Sequence, residues 1–228
     1  MHSSRTASIT KTLRFVFLGA AFVAGVTIGP RCAVAGVILQ PAAASSSQTQ
    51  FGAPDNARNQ SGLSIGYTSL VTDFNTYIAS NPLHDSQTQT NRWTSNPLPA
   101  SLDFDLGGTF SIDAIAFWNQ GTGIGSTLAF TLIAANNAAF AGATTLGNFT
   151  PVATGPVTAV AAQVFTFAPT QAAFVRFTAT QSNGFDGATV GEVAFDIGSG
   201  SSAPEPSGAW LIGLGAGAIL WKRRRVHR

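Results

Sequence analysis

The sequence predicts one all-β sandwich between two apolar terminal segments, and three observations support this prediction. Much of the segment 36–198 alternates apolar and polar residues with a period of two, which is the pattern of half-buried strands. Clusters of Pro, Gly and Asn separate these runs, and no run has the period of an amphipathic helix. Roughly 165 residues are also enough for one domain with its own core.

The predicted strands follow one another at short intervals along this segment. In 101–106 apolar residues alternate with Asp103 and Asp105, which we place on the solvent face, and Gly107-Gly108 then predicts a turn. The region 45–96 is polar and predicted to be loop-like, with one short strand or helix within 67–78. The remaining strands are predicted at 112–119, 128–134, 164–167, 173–180 and 190–197.

The first 35 residues have the composition of a secretory signal peptide. Basic residues precede an apolar run over 15–28, and Ala33 and Ala35 form a small-x-small cleavage site before Gly36. A first transmembrane helix is the alternative, but a run of about 14 residues is short for a bilayer crossing. We therefore predict cleavage after Ala35.

Cys32 is the only cysteine of the chain and raises the alternative of a lipoprotein signal. Arg31, directly before it, does not fit the small-residue pattern of a lipidation site. Cleavage after Ala35 would remove Cys32, so the exported chain would have no disulfide and no thiol. Its fold would then depend on core burial alone.

The formal net charge of +2 is misleading, because nine of the twelve basic residues lie in the two terminal segments. Between residues 36 and 203 there are three basic and nine acidic residues, a net charge of −6. An acidic domain lacks the positive surface that binding to phosphate backbones requires. We therefore expect no nucleic-acid partner.

The last 25 residues combine a rigid polar motif, an uncharged glycine-rich stretch over 208–221 and a basic tail over 222–228. The stretch is predicted to form a short transmembrane helix, and the basic tail marks the cytoplasmic side. The residues that define the motif and the tail are Pro204, Glu205, Pro206, Arg223, Arg224 and Arg225.

This order of features resembles the PEP-CTERM sorting signal of Gram-negative bacteria. The resemblance implies that 204–228 is recognised by exosortase, a membrane cysteine protease that cuts near the Pro-Glu-Pro motif, and that 199–203 is a linker. It also implies transient anchoring in the inner membrane, delivery to the cell envelope or extracellular matrix, and a link to exopolysaccharide and biofilm. A plain membrane anchor is the alternative.

The order of elements in the body resembles the discoidin-like, galactose-binding domains. The segment 92–95 contains a tryptophan and is followed by 102–107, which ends in Asp-Leu-Gly, and by the strand segments 174–177 and 191–195. The resemblance implies a jelly-roll β-sandwich over 36–198 that binds glycan or matrix components. A structural surface protein without a ligand is the alternative.

Five residues are candidates for contact with a glycan. Trp93 and Trp118 have flat aromatic faces that suit a pyranose ring, and Asn119 offers an amide at a strand end. Asn183 and Asp186 lie in a glycine-rich loop, and binding residues are frequent in loops. The alternatives are a core position for the tryptophans and a solvated turn for the loop.

No cofactor is predicted. A calcium site needs several oxygen ligands, and Asp55, Asn56 and Asp85 are candidates by composition alone. Arg176 and Glu192 are candidates for an ion pair across neighbouring strands, which would be a structural contact and not a catalytic one.

We predict that the chain is not an enzyme. His84 is the one histidine between residues 36 and 203, and no Gly-x-Ser-x-Gly turn accompanies it. A hydrolase that uses His84 in a Ser-His-Asp arrangement is a further alternative.

Overall fold

The computed structural model describes residues 36–121, 123–153, 155 and 157–198. The predicted signal peptide with Ala33 and Ala35, the linker 199–203 and the predicted sorting signal 204–228 lie outside the described residues. The described residues all belong to one compact unit. In the part of the chain that is described, no helix is long and apolar enough to cross a membrane.

The described residues form eleven strands and one short α-helix. The strands are β1 Val37–Leu39, β2 Ala43–Ser46, β3 Leu83–His84, β4 Trp93–Ser95, β5 Ala100–Trp118, β6 Thr127–Ala135, β7 Thr144–Phe149, β8 Val160–Ala161, β9 Gln163–Ser182, β10 Ala188–Val190 and β11 Glu192–Ile197. The helix is α1 Phe74–Ala79.

Two long strands, β5 and β9, run through both layers of the sandwich. The first half of β5 pairs with β2 and with the second half of β9, which continues to β6 and β7. The second half of β5 pairs with the first half of β9 and with β11, which continues to β1. All these strand pairs are antiparallel, so the predicted all-β sandwich is confirmed.

Phenylalanine rings fill the space between the two layers. Phe130 of β6 is buried and contacts four other rings at centroid distances of 4.5–5.4 Å, which belong to Phe117, Phe149, Phe165 and Phe177. These partners come from β5, β7 and both halves of β9. The core therefore joins the layers by aromatic packing, without a cysteine between residues 36 and 198.

The predicted turn at Gly107-Gly108 is wrong. β5 continues through these residues, and its pairing with β9 shifts register between Asp105 and Phe110. Gly107 has a φ of +78°, which glycine adopts without the steric cost that a side chain brings. The glycines therefore bend one strand instead of reversing the chain, and the predicted strands at 164–167 and 173–180 are likewise joined in β9.

The helix α1 begins within the predicted segment 67–78 and ends one residue beyond it, at Ala79. Asp73 caps it, because its carboxylate accepts a hydrogen bond of 2.6 Å from the Thr76 amide. Phe74 and Tyr77 are buried beside Trp118, on the outer side of the β1–β11 layer. A short amphipathic helix thus covers one face of the sandwich.

The strand β11 runs from one end of the sandwich to the other. Val37 pairs with Ile197, so the first and last described strands meet at one end. Glu192 pairs with Trp118 at the opposite end, about 17 Å away at 3.3 Å per strand residue. We call this second end the loop end, and it contains the segments 119–126 and 183–187.

Candidate functional site

The loop end is built on four neighbouring extended segments. Phe51 bridges Thr94 of β4, Thr94 pairs with Thr189 of β10, and Thr189 bridges Ser126. Since neighbouring strands lie about 4.8 Å apart, these four segments together are about 14 Å wide. The buried hydroxyls of Thr94 and Thr189 are hydrogen-bonded at 3.1 Å. The loops therefore lie on a fixed platform.

The buried amide of Asn119 closes the segment 119–126. Its Oδ1 accepts hydrogen bonds from the backbone amides of Gln120 and Thr127, both at 2.9 Å, and its Nδ2 donates to the Thr127 carbonyl at 2.8 Å. The Ser86 hydroxyl adds a contact, since it donates to the Asn119 carbonyl at 3.0 Å. Asn119 is therefore a scaffold residue, and its prediction as a glycan contact is wrong.

The loop 183–187 is joined to the segment 119–126 by three hydrogen bonds. The Asn183 amide donates to the Ser126 carbonyl at 3.0 Å, and the Asn183 carbonyl accepts from the Gly125 amide at 2.7 Å. The Asn183 side chain donates to the Gly123 carbonyl at 2.6 Å. Asn183 and Asp186 are both exposed. The two loops thus form one surface that presents a side-chain amide and a carboxylate.

Exposed apolar side chains lie on the same platform, Ile124 in the segment 119–126 and Phe51 at the opposite edge, about 14 Å across the strands. Ile124 is 67% exposed and Phe51 is 44% exposed. The half-buried ring of Phe185 lies close to Gly187, where a Cβ would be 2.8 Å from the ring Cζ. A ligand with hydroxyl groups and an apolar face needs this combination of surfaces. The sequence analysis did not identify Phe51 and Ile124, although an apolar residue isolated in a polar loop could have indicated an exposed contact surface.

Both tryptophans predicted as sugar platforms lie in the interior. Trp93 and Trp118 are each 0% exposed. The Trp93 indole donates to the Thr49 hydroxyl at 3.0 Å, and the Trp118 indole donates to the Pro82 carbonyl at 2.9 Å. Neither ring offers a face to a ligand, so the core interpretation of these residues is the correct one.

The predicted ion pair between Arg176 and Glu192 is wrong. β9 and β11 both pair with β5, on its two sides, and so do not pair with each other. Arg176 instead binds Asp103 of β5 through two hydrogen bonds of 2.6 and 2.7 Å, and its guanidinium lies 4.3 Å from the Phe140 ring centroid. Asp103 is therefore half-buried and paired instead of solvated.

Glu192 is buried without a cation. It is 0% exposed, its Oε2 accepts a hydrogen bond of 2.9 Å from the Gln60 amide, and its Oε1 has no hydrogen-bond partner among the described residues. Burial raises the pKa of Glu192 well above its usual range. The carboxyl group is therefore a buried group of β11 without an ion-pair partner among the described residues, and it is not part of the exposed surface of the loop end.

The position of His84 contradicts a catalytic Ser-His-Asp arrangement that uses this residue. His84 is 0% exposed, and burial lowers its pKa to about 4. A base that no solvent or substrate reaches cannot activate a serine in this conformation. The hydrolase alternative loses the residue on which it depended.

The carboxylates considered for calcium have protein partners. Asp55 accepts from Arg58 Nε at 2.6 Å and from the Ala44 amide at 3.1 Å, and Asp85 accepts from the Thr88 hydroxyl at 3.1 Å. The Asn56 side chain donates to a backbone carbonyl at 3.1 Å. Within the described ranges, no group of three or more His, Cys, Asp or Glu residues is arranged to hold a metal ion.

No protein-family model matches the chain, and no curated protein matches it. Among solved structures, truncated AlyQ with CBM32 and alginate lyase domains has a TM-score of 0.51 and 18% identity, over 75% of this chain and 35% of that chain. The CBM32 of AlyQ in complex with 4,5-unsaturated mannuronic acid has a TM-score of 0.47 and 16% identity, over 69% and 96% of the two chains. The family 32 CBM from C. perfringens NanJ in complex with galactose has a TM-score of 0.49 and 17% identity, over 71% and 98%. The similarity to truncated AlyQ shows the fold: an all-β sandwich of the kind found in CBM32 domains, as the discoidin-like resemblance implied.

Proposed function

We propose that the chain is an exported, non-catalytic protein that binds a glycan at the loop end. The observation that carries this proposal is the exposed set of Asn183, Asp186, Ile124 and Phe51 on a platform held by buried hydrogen bonds. A surface that is already ordered loses little conformational entropy when it binds a ligand. The likeness in fold to carbohydrate-binding modules supports the same assignment.

The charge of the body narrows the glycan class. With a net charge of −6 between residues 36 and 203, and with Asp186 exposed at the loop end, a polyanionic chain would be repelled. Asp186 instead suits the hydroxyl groups of a neutral sugar or the ammonium group of an amino sugar, and Asn183 offers an amide. We therefore propose a neutral or amino-sugar polysaccharide as the ligand.

The binding prediction uses the fragment 36–198, which contains every described strand pair and both hydrophobic core clusters. Replacing Asn183 and Asp186 together by alanine is expected to weaken binding to the preferred polysaccharide at least about tenfold, the effect of losing about 1.4 kcal/mol of contacts. Isothermal titration against neutral, amino-sugar and uronate polymers measures this. The matched control is Asn148→Ala, an exposed asparagine of β7.

Two outcomes would contradict this proposal. If the parent fragment binds none of these polymers, a structural surface protein without a ligand becomes the better explanation. If the parent binds and the double variant binds equally well, the loop end is not the binding surface. Unfolding curves of each variant separate loss of a contact from loss of the fold.

We further propose that the chain is exported through cleavage after Ala35 and sorted through 204–228 to the envelope or extracellular matrix of a Gram-negative bacterium. The order of the Pro-Glu-Pro motif, the apolar stretch and the arginine cluster supports an exosortase partner, and with it a role in exopolysaccharide or biofilm. A glycan-binding domain delivered to such a matrix would attach the protein to the polymer itself.

Replacing Pro204, Glu205 and Pro206 by alanine is expected to leave the chain in the membrane fraction, because the apolar stretch remains and the proposed recognition motif is lost. Fractionation and mass spectrometry of the native host measure retention and processing. The control exchanges Ser201 and Ser202 for alanine in the adjacent linker. Release and processing identical to those of the parent would refute sorting through this motif.

A further inference from the structure

Two aspartates on the outer side of the β1–β11 layer lack cationic partners. Asp196 of β11 is only 9% exposed, and its Oδ1 has no hydrogen-bond partner among the described residues. The Oδ1 of Asp113 in β5 is unpartnered in the same sense. Both side chains line one groove of about 230 Å³. Asp113 is half-buried, and a carboxylate as buried as that of Asp196 is costly unless a positive charge or hydrogen-bond donors face it.

The three arginines between residues 36 and 203 bind other groups and not Asp196. Arg58 binds Asp55, Arg176 binds Asp103, and Arg92 donates to a backbone carbonyl at 2.9 Å. These three are the only basic residues between 36 and 203. A cation for Asp196 must therefore come from another source.

Gly36 lies directly against the Asp196 carboxylate. A Cβ built on Gly36 would be 2.6 Å from Cγ and 2.7 Å from Oδ2 of Asp196, so a side chain at this position would displace the carboxylate. Because a backbone nitrogen lies about 2.5 Å from the Cβ of its own residue, the Gly36 nitrogen is within about 5 Å of these atoms. The Gly36 carbonyl accepts a hydrogen bond of 2.9 Å from the Phe74 amide, which holds the glycine in place.

We infer that the α-ammonium group of Gly36, created by cleavage after Ala35, binds the Asp196 carboxylate that lines the acidic groove. The cleavage is a hydrolysis catalysed by a signal peptidase. The bond between the Ala35 carbonyl carbon and the Gly36 nitrogen breaks, water supplies the hydroxyl of the new Ala35 carboxyl group, and the other proton of that water goes to the nitrogen. The new carboxyl group then ionises, and the amine takes up a proton to become the ammonium. The inference depends on the proposed cleavage and goes beyond glycan binding.

The electrostatics of the groove fit an ammonium ion. Burial, followed by the charges of Asp113 and Asp73, raises the pKa of Asp196 to about 6 in the absence of this cation. A free α-amino group has a pKa of about 7.7–8.0 and is charged at neutral pH. An opposite charge within about 4–6 Å favours the ionised carboxylate. Processing would thus convert a repulsive carboxylate cluster into a paired one.

A divalent cation fits the same groove less well. Calcium takes about 6–8 oxygen ligands, and the described residues contain no group of three or more acidic or other metal-binding side chains suited to a metal. Asp73 is already used to cap α1 through its bond to Thr76. A monovalent ammonium with three donors needs only the acceptors that are present.

The composition of the body makes the test selective. Residues 36–198 contain no lysine, so Gly36 carries the only amine of the processed fragment. Reductive methylation with ¹³C-formaldehyde therefore gives a single amine signal whose pKa is read by NMR titration. We expect this pKa to lie above about 8 in the parent and to fall to the free-peptide value in Asp196→Asn. Asp186→Asn, an exposed carboxylate at the loop end, is the matched control.

A second measurement removes the dependence on a labelled amine. The fragment that keeps Ala35 before Gly36 carries its charge one residue away, so we expect its melting temperature at pH 7 to be lower than that of the fragment starting at Gly36. The difference should vanish when both carry Asp196→Asn. An amine pKa at the free-peptide value in the parent, or a melting difference that persists in Asp196→Asn, would overturn the inference.

Two further outcomes are informative. If calcium chloride raises the melting temperature of both fragments and EDTA reverses this only when Asp196 is present, the groove is a metal site and the inference is wrong. Mass spectrometry of the exported chain tests the cleavage separately from docking and from glycan binding. A mature N-terminus other than Gly36 overturns the proposed processing and this inference together, while leaving the glycan proposal intact.

Discussion

Replacing Phe130 by alanine is expected to lower the free energy of unfolding by about 3–5 kcal/mol, the usual cost of removing a buried phenylalanine. The ring is 1% exposed and contacts four other rings from both layers of the sandwich. Its loss leaves a cavity between the layers and removes aromatic contacts that add to simple burial. Urea unfolding of the fragment 36–198, followed by tryptophan fluorescence, measures the change.

The matched control for this prediction is Phe51→Ala. Phe51 is 44% exposed at the loop end, so its replacement should cost well under the Phe130 value. Phe130→Leu keeps most of the buried volume and should give an intermediate loss. Equal effects of Phe130→Ala and Phe51→Ala would mean that the aromatic cluster is not the centre of the core.

The second large effect is a dependence of stability on pH that comes from His84. Burial lowers the pKa of this side chain from 6.5 to about 4 in the folded chain. The unfolded chain therefore binds a proton more readily, and stability from this group is present above pH 6.5 and lost as the pH falls towards 4. The full loss corresponds to about 3 kcal/mol, at about 1.4 kcal/mol per pH unit.

The experiment compares the parent with His84→Gln, because other buried groups change stability in the opposite direction. Glu192 and Asp196 have raised pKa values, so their unfavourable contribution disappears as the pH falls through the folded value. The difference in unfolding free energy between parent and variant isolates His84. It should change by about 3 kcal/mol between pH 7 and pH 4. A difference that stays constant over this range would show that His84 is accessible to protons in the folded state.

Most strand positions could be predicted from the sequence, but the connections between the strands could not. Alternation correctly marked 101–106 as extended, because the apolar side chains of a half-buried strand face one layer, and a nearly continuous apolar run marked 112–119. Whether Gly107 reverses or bends the chain depends on the partner strand. The pairing of β5 with β9 continues on both sides of the bend, and that contact is long-range.

The candidate site shows the same division. Asn183 and Asp186 were identified from a glycine-rich loop, and they are exposed at the loop end. Trp93 and Trp118 have the chemistry of a sugar platform, but burial takes both out of reach. Side-chain chemistry states what a residue is able to do, and only packing decides whether a ligand meets it.

The ion pairs were not predictable for a related reason. The sequence placed Arg176 on a strand that precedes the strand of Glu192, which suggested that the two are neighbours. β5 lies between these strands, so Arg176 meets Asp103, while Glu192 is buried against the Gln60 amide. Strand order is a property of the whole sheet and is not encoded in any one segment.

The sequence by itself determined the extended segments, the acidic charge of the body, its lack of cysteine and lysine between residues 36 and 198, and the candidate cleavage and sorting signals. These properties depend on composition and on neighbours along the chain. The tertiary structure alone decided which loops form the platform, which polar groups are buried, and that Gly36 meets Asp196. The physical reason is that burial and strand pairing depend on contacts between residues far apart in the chain, which local periodicity does not specify.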